Sequence, residues 1–151
     1  MQMAAIKMCF TLLLTLSALI THAVEQGPCE QQQDKVLRAM FTTKLDDREP
    51  SDRVLILGNA ATELFFFSEL NQLQGHTITH RWEYEGKVVY QRSYEVKGPR
   101  WRITSRKDLD PTMVGRWTAV IVDEKECPLK AVVFQYVQHS DTNNPTAILP
   151  P

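Results

Sequence analysis

Between Thr77 and Val96 the apolar side chains recur at every second position on both sides of a Glu85-Gly86 pair. That spacing fits an antiparallel hairpin and no helix, which would need a period near 3.6. Two registers compete. A two-residue loop, Glu85-Gly86, sets Tyr84 opposite Lys87 and sends the apolar residues of the two strands to opposite faces. A three-residue loop, Tyr84-Glu85-Gly86, sets Trp82 opposite Val88, His80 opposite Tyr90 and Ile78 opposite Arg92, with Gly86 left-handed in a bulge. Only the second joins Ile78, Trp82, Val88, Tyr90, Tyr94 and Val96 on one face, so it is the register expected.

The same alternation runs along most of the chain. From Lys35 to Thr43, Leu37, Ala39 and Phe41 share one face while Arg38 and Thr42 take the other. A charged loop with a proline stop follows, from Asp46 to Asp52. Val54-Leu55-Ile56-Leu57 and Leu64-Phe65-Phe66-Phe67 are short apolar runs whose β-branched and aromatic content favours strand. Arg100 to Thr104 alternates with Trp101 and Ile103 inward; Lys107 to Gly115 is a loop; Trp117–Val122 and Leu129–Val137 are the last strands. Short strands at close spacing, with no long helical pattern, predict an all-β fold. The expected architecture is an antiparallel immunoglobulin-like β-sandwich of about 7–8 strands. It would occupy residues 34–138, between a linker at 24–33 and a disordered tail at 139–151.

The first 23 residues read differently. Lys7 precedes an apolar run from Cys9 to Ile20, and Thr21-His22-Ala23 then offers small residues at a peptidase site. This is the pattern of a secretory signal peptide cut between Ala23 and Val24, with an uncleaved anchor as the rival reading. Export to the periplasm or beyond the cell follows, with no membrane span after cleavage. Cys9 would leave with the leader, so Cys29 and Cys127 remain, an even pair that predicts one disulfide in an oxidising compartment. Free thiols or an intermolecular bridge are the alternatives. The chain holds 17 cations and 18 anions, and the leader removes only Lys7. That balance gives no electrostatic case for nucleic acid.

The segments Arg38-Ala39-Met40-Phe41-Thr42, Asp47-Arg48-Glu49-Pro50, Leu64-Phe65-Phe66-Phe67-Ser68-Glu69-Leu70, His80-Arg81-Trp82-Glu83-Tyr84-Glu85-Gly86-Lys87, Arg100-Trp101-Arg102-Ile103-Thr104-Ser105 and Gly115-Arg116-Trp117 carry a resemblance. Together they resemble the bacterial family known as domain of unknown function 2914. The resemblance implies a small β domain of Gram-negative envelopes or their membrane proteins, and brings no reaction and no ligand with it. The cysteine pair is no part of it.

Motifs for chemistry are scarce. His76 and His80 share a strand face, but four residues at about 3.3 Å set them roughly 13 Å apart, too far to hold one zinc. The acids of Asp46 to Asp52 and Asp108-x-Asp110 lack the spacing of a calcium loop. No nucleophile elbow or glycine-rich phosphate loop occurs. No catalytic residue, metal or cofactor is therefore expected, and a small hydrolase is the weakest class. One cluster remains, rich in arginine and tryptophan, from Arg81 to Trp117. Arg81, Arg92, Trp101 and Arg102 are its candidate binding residues, since a guanidinium beside an indole suits an anionic or sugar ligand. The bland reading makes Trp82, Trp101 and Trp117 core and sets Arg92 at the sheet rim or pairs it with an acid such as Glu63 or Glu69. Two functions follow: a non-catalytic binding module for an envelope glycan or protein partner, or an assembly accessory that adds a strand at a sheet edge.

Overall fold

A computed structural model describes residue 29, residues 33–139 and residues 148–151. The expected leader, its Ala23/Val24 cleavage point and most of the linker lie outside the described residues. After a 3-10 turn at Gln33–Lys35 the chain forms β1 (Val36–Thr42), β2 (Leu45–Asp46), β3 (Glu49–Pro50), β4 (Arg53–Val54), β5 (Ile56–Gly58), β6 (Glu63–Asn71), β7 (Thr77–Tyr84), β8 (Lys87–Glu95), β9 (Arg100–Asp108), β10 (Gly115–Val122), β11 (Pro128–Val137) and β12 (Ile148–Leu149). The fold is all-β, as the alternation predicts.

Two sheets carry the domain, a three-stranded one ordered β1-β6-β9 and a five-stranded one ordered β5-β11-β10-β7-β8. Their strands pair antiparallel, except that β5 runs parallel to β11. The sheets face each other across Phe41, whose ring lies 5.2 Å from Trp82 and 4.7 Å from Phe134. Phe66, Leu70, Ile78, Trp117, Ile121 and Tyr136 complete the fully enclosed interior. Each side chain of this size contributes about 1.5–3 kcal/mol on leaving water. The Cys29–Cys127 disulfide ties residue 29 to the β10–β11 turn. In that turn Asp123 accepts hydrogen bonds from the Lys125 and Cys127 amides, both 2.8 Å.

The hairpin register differs from the expected one. Glu85 (φ 47°) and Gly86 (φ 77°) are both left-handed, so the loop has two residues and Tyr84 faces Lys87. The apolar faces still meet, because a bulge at Val89 shifts the pairing to Trp82↔Tyr90, His80↔Arg92 and Ile78↔Tyr94. The extra residue sits in the strand instead of the loop. Val88, placed inward from sequence, is exposed.

Two further expectations are corrected, and a third falls mostly outside the described residues. A bulge after Val36 turns Leu37 outward, leaving it 46% exposed while Val36 is buried. The charged loop folds as its own small hairpin, β2–β3, around left-handed Asp47 and Arg48 (φ 44° and 63°). Of the expected disordered tail, residues 140–147 lie outside the described residues, and Ile148–Leu149 pair with β4. Among the described residues no helix is long and apolar enough to cross a membrane.

Candidate functional site

The alternation of β6 sends Leu64, Phe66, Ser68 and Leu70 into the sandwich and Phe65, Phe67 and Glu69 to the outer face of the three-stranded sheet. On that outer face Glu69 stands between Arg38 of β1 and Arg102 of β9, its cross-strand neighbours. Its carboxylate has no solvent exposure. Arg38 Nε donates to it at 2.5 Å, Arg100 donates to its other oxygen, and Arg102 Nε lies 3.9 Å away. Burial alone would raise the Glu69 carboxyl; the bonds from Arg100 and Arg38 outweigh burial and hold it below its ordinary value.

The β2–β3 hairpin lies against the same face. Glu49 pairs with Arg38 at 3.0 Å and with Arg102 at 2.7 Å. Asp52 fastens the hairpin's base, accepting from the Thr42 hydroxyl and the Thr43 amide, both 2.8 Å. The Arg38 guanidinium also covers the Phe67 ring at 5.1 Å. With β3 so held, the tight turn sets Arg48 beside the start of β9. Arg48, Arg100, Trp101 and Arg102 line an open concavity of about 270 Å³. Trp101 is half-buried, packed against the core on one side.

Of the four expected binding residues, Trp101 and Arg102 both line the concavity, though as strand neighbours their side chains leave β9 on opposite faces, and the other two lie elsewhere. Arg81 lies on the five-stranded sheet, paired with Glu83 at 3.0 Å and Glu126 at 3.6 Å. Arg92 stacks over the Tyr94 ring at 5.4 Å, so its partner is an aromatic face and not Glu63 or Glu69. Glu63 pairs instead with Arg106 at 2.7 Å. Trp82 and Trp117 are core. Arg38 and Arg48 belong to the site and were missed from sequence; Arg100 lies in the expected cluster without being singled out, and Glu69 was expected to partner a different arginine. The signal was the outward alternation of Arg38, Glu69, Arg100 and Arg102, legible only once β1, β6 and β9 are known to be neighbours.

A second polar group lies inside. His80 Nε2 is 2.8 Å from Ser68 Oγ, its Nδ1 is 3.0 Å from Ser105 Oγ, and Trp82 Nε1 donates to Ser105 at 2.9 Å. Ser105 accepts from Trp82, and which of the two imidazole nitrogens donates to its serine follows the tautomer, each nitrogen having one hydroxyl partner. Burial pushes His80 down to about 3, keeping it neutral. These four side chains are at most 1% exposed, so no substrate reaches this Ser-His pair. His76 is on the surface, 2.7 Å from Glu124. Among the described residues no three His, Cys, Asp or Glu side chains gather as metal ligands would.

The family model described as "Protein of unknown function (DUF2914)" matches residues 75–136, from just before β7 to the penultimate residue of β11. The resemblance seen in the sequence therefore holds over that segment; its pieces before residue 75, those around Arg38, Arg48 and Glu69 included, lie outside the match. No curated protein matches the chain. Among solved structures it is similar to "The crystal structure of endonuclease/exonuclease/phosphatase from Beutenbergia cavernae DSM 12333", at 14% identity and a TM-score of 0.32. The similarity covers 66% of this chain and 27% of that one. So low a score carries neither fold nor chemistry.

Proposed function

We propose that this chain, similar over residues 75–136 to the DUF2914 family, is an exported, non-catalytic module that binds an acidic envelope glycan in the concavity of Arg48, Arg100, Trp101 and Arg102. The observation that carries the reading is a local surplus of positive charge. Among the described residues Arg38, Arg100 and Arg102 pair only with the carboxylates of Glu49 and Glu69, and Arg48 stands beside them without an ion pair, on a chain of formal net charge −1. A planar guanidinium grips a carboxylate through two parallel hydrogen bonds, and an indole stacks on the apolar face of a sugar ring. The Cys29–Cys127 disulfide supports an oxidising compartment, the periplasm or the medium. The immunoglobulin-like description belongs to this reading too, supported by two facing sheets of mostly antiparallel strands. It involves no cofactor and no nucleic acid.

Titration calorimetry of the oxidised mature protein with polygalacturonate, and with dextran as the neutral control, tests it. Only the acidic polymer should bind. Trp101→Ala and Arg102→Ala should each weaken binding about tenfold, Arg102→Ala with a smaller salt dependence than the parent. Silence toward both polymers, from protein that is folded by circular dichroism, ends the proposal.

A further inference from the structure

A different part of the surface has the build of a peptide site. β1 ends the order β1-β6-β9, so one edge pairs with β6 and the other has no strand neighbour in that sheet. β11 is flanked by β5 only at Gln135, Tyr136 and Val137, so its earlier half presents a free edge toward the same opening. Between these edges runs an open trough of about 430 Å³, bordered on one side by Leu37 to Met40 of β1 and on the other by Lys130 to Val133 of β11. Its apolar walls include Leu37 and Val133, both unusually exposed for their type. A free edge with exposed apolar neighbours is a template for strand pairing.

Charge singles out the occupant. Arg38, Arg53 and Lys130 line the trough and, among the described residues, no carboxylate does. Arg38 is already engaged in ion pairs with Glu49 and Glu69. Among the described residues no ion pair engages Arg53 or Lys130, so two cations are left facing the opening. Beside the trough the chain's own Leu149 pairs with Arg53 as a two-residue strand, so this region already accepts an added strand. We propose that the trough docks an extended segment of a partner protein, alternating apolar and acidic residues, as a fourth strand on the free edge of β1. Backbone hydrogen bonds to β1 supply affinity. Alternate side chains then enter the apolar walls or meet Arg53 and Lys130. Four residues of β1 span roughly 13 Å, so the docked segment is short.

Blocked peptides of alternating valine and glutamate are the probe, read by fluorescence anisotropy on the disulfide-intact mature chain at low salt. The acidic peptide should bind. A valine–lysine counterpart should bind at least about tenfold more weakly, and the Arg53→Glu, Lys130→Glu double variant should reverse that preference. Methylating alternate backbone nitrogens of the peptide should abolish binding, and β1 amides should gain protection from hydrogen exchange in the complex. Trp101→Ala should leave all of this unchanged, which separates failure here from failure of the glycan reading. Equal binding of the lysine peptide or of the methylated one overturns the proposal. So does no binding at all, or a β1-to-β1 dimer in sedimentation that excludes the peptide.

Discussion

Ser68 and Glu69 are adjacent on β6, and the strand's alternation sends one into the sandwich and the other out beneath the arginines. Both are fully enclosed, yet they are satisfied by opposite means. Around Ser68 the partners are neutral: His80, Ser105 and Trp82 share hydrogen bonds with no charge present. Around Glu69 the partners are guanidiniums whose far ends still reach water; Arg100 is 66% exposed and Arg102 44%. Depth decides between the two. Between the sheets an ion would lose its hydration on every side, so neutral donors and acceptors are the stable solution. On the outer face only the carboxylate is covered, and the cations that cover it remain solvated.

The comparison predicts that breaking the inner network costs most. Ser105→Ala leaves Trp82 Nε1 without an acceptor and His80 Nδ1 without its hydroxyl partner in a site that water does not enter. The expected loss is about 2–4 kcal/mol in urea unfolding at neutral pH. A loss below about 1 kcal/mol would mean that the hydroxyl fills space and little else.

Acid provides the next largest effect. His80 falls from 6.5 to about 3 on folding, so the unfolded chain binds its proton first. The stability tied to neutral His80 is complete above pH 6.5 and drains away as pH falls toward 3. One proton gives a slope approaching about 1.4 kcal/mol per pH unit, or roughly 2–3 kcal/mol between pH 6.5 and 4.5. That window lies above the range in which Glu69 would take up a proton. His80→Gln should therefore be flat there while the parent declines. Parallel curves for the two proteins would assign the acid sensitivity to some other group.

How much of this could be read from the chain depends on how far apart the deciding residues lie. Within one strand, period two places Ile78, His80, Trp82 and Ile103 inside, and they are inside. The cysteine pair is legible from counting alone. Bulges are not: Leu37 and Val89 each break the alternation, and nothing in their own side chains announces it, because a bulge answers to the partner strand. The outer site fails for a related reason. Glu69 is 31 residues from both Arg38 and Arg100, and from sequence it is offered to Arg92, an arginine of the other sheet. The expected arginine–tryptophan cluster took closeness in sequence for closeness in space. Arg81 and Arg92 are near Trp101 along the chain, but pairing puts them on β7 and β8 of the other sheet.

The smallest effect should come from the outer region. Glu69→Gln keeps the size of the side chain and removes its charge. The guanidiniums of Arg38, Arg100 and Arg102 can turn back to water, so the cost at neutral pH should be about 1–2 kcal/mol, below that of Ser105→Ala. Its pH dependence also differs from that of the inner site. The Glu69 carboxyl is held below its ordinary value of 4.5 by its arginines, so its contribution is complete above that value and is lost as pH falls below it. The gap between parent and Glu69→Gln should then narrow in acid and in high salt, while the Ser105→Ala gap should be indifferent to salt. If salt narrows neither gap, the carboxylate is enclosed as tightly as the imidazole, and the contrast between the two faces of β6 is one of charge alone and not of depth.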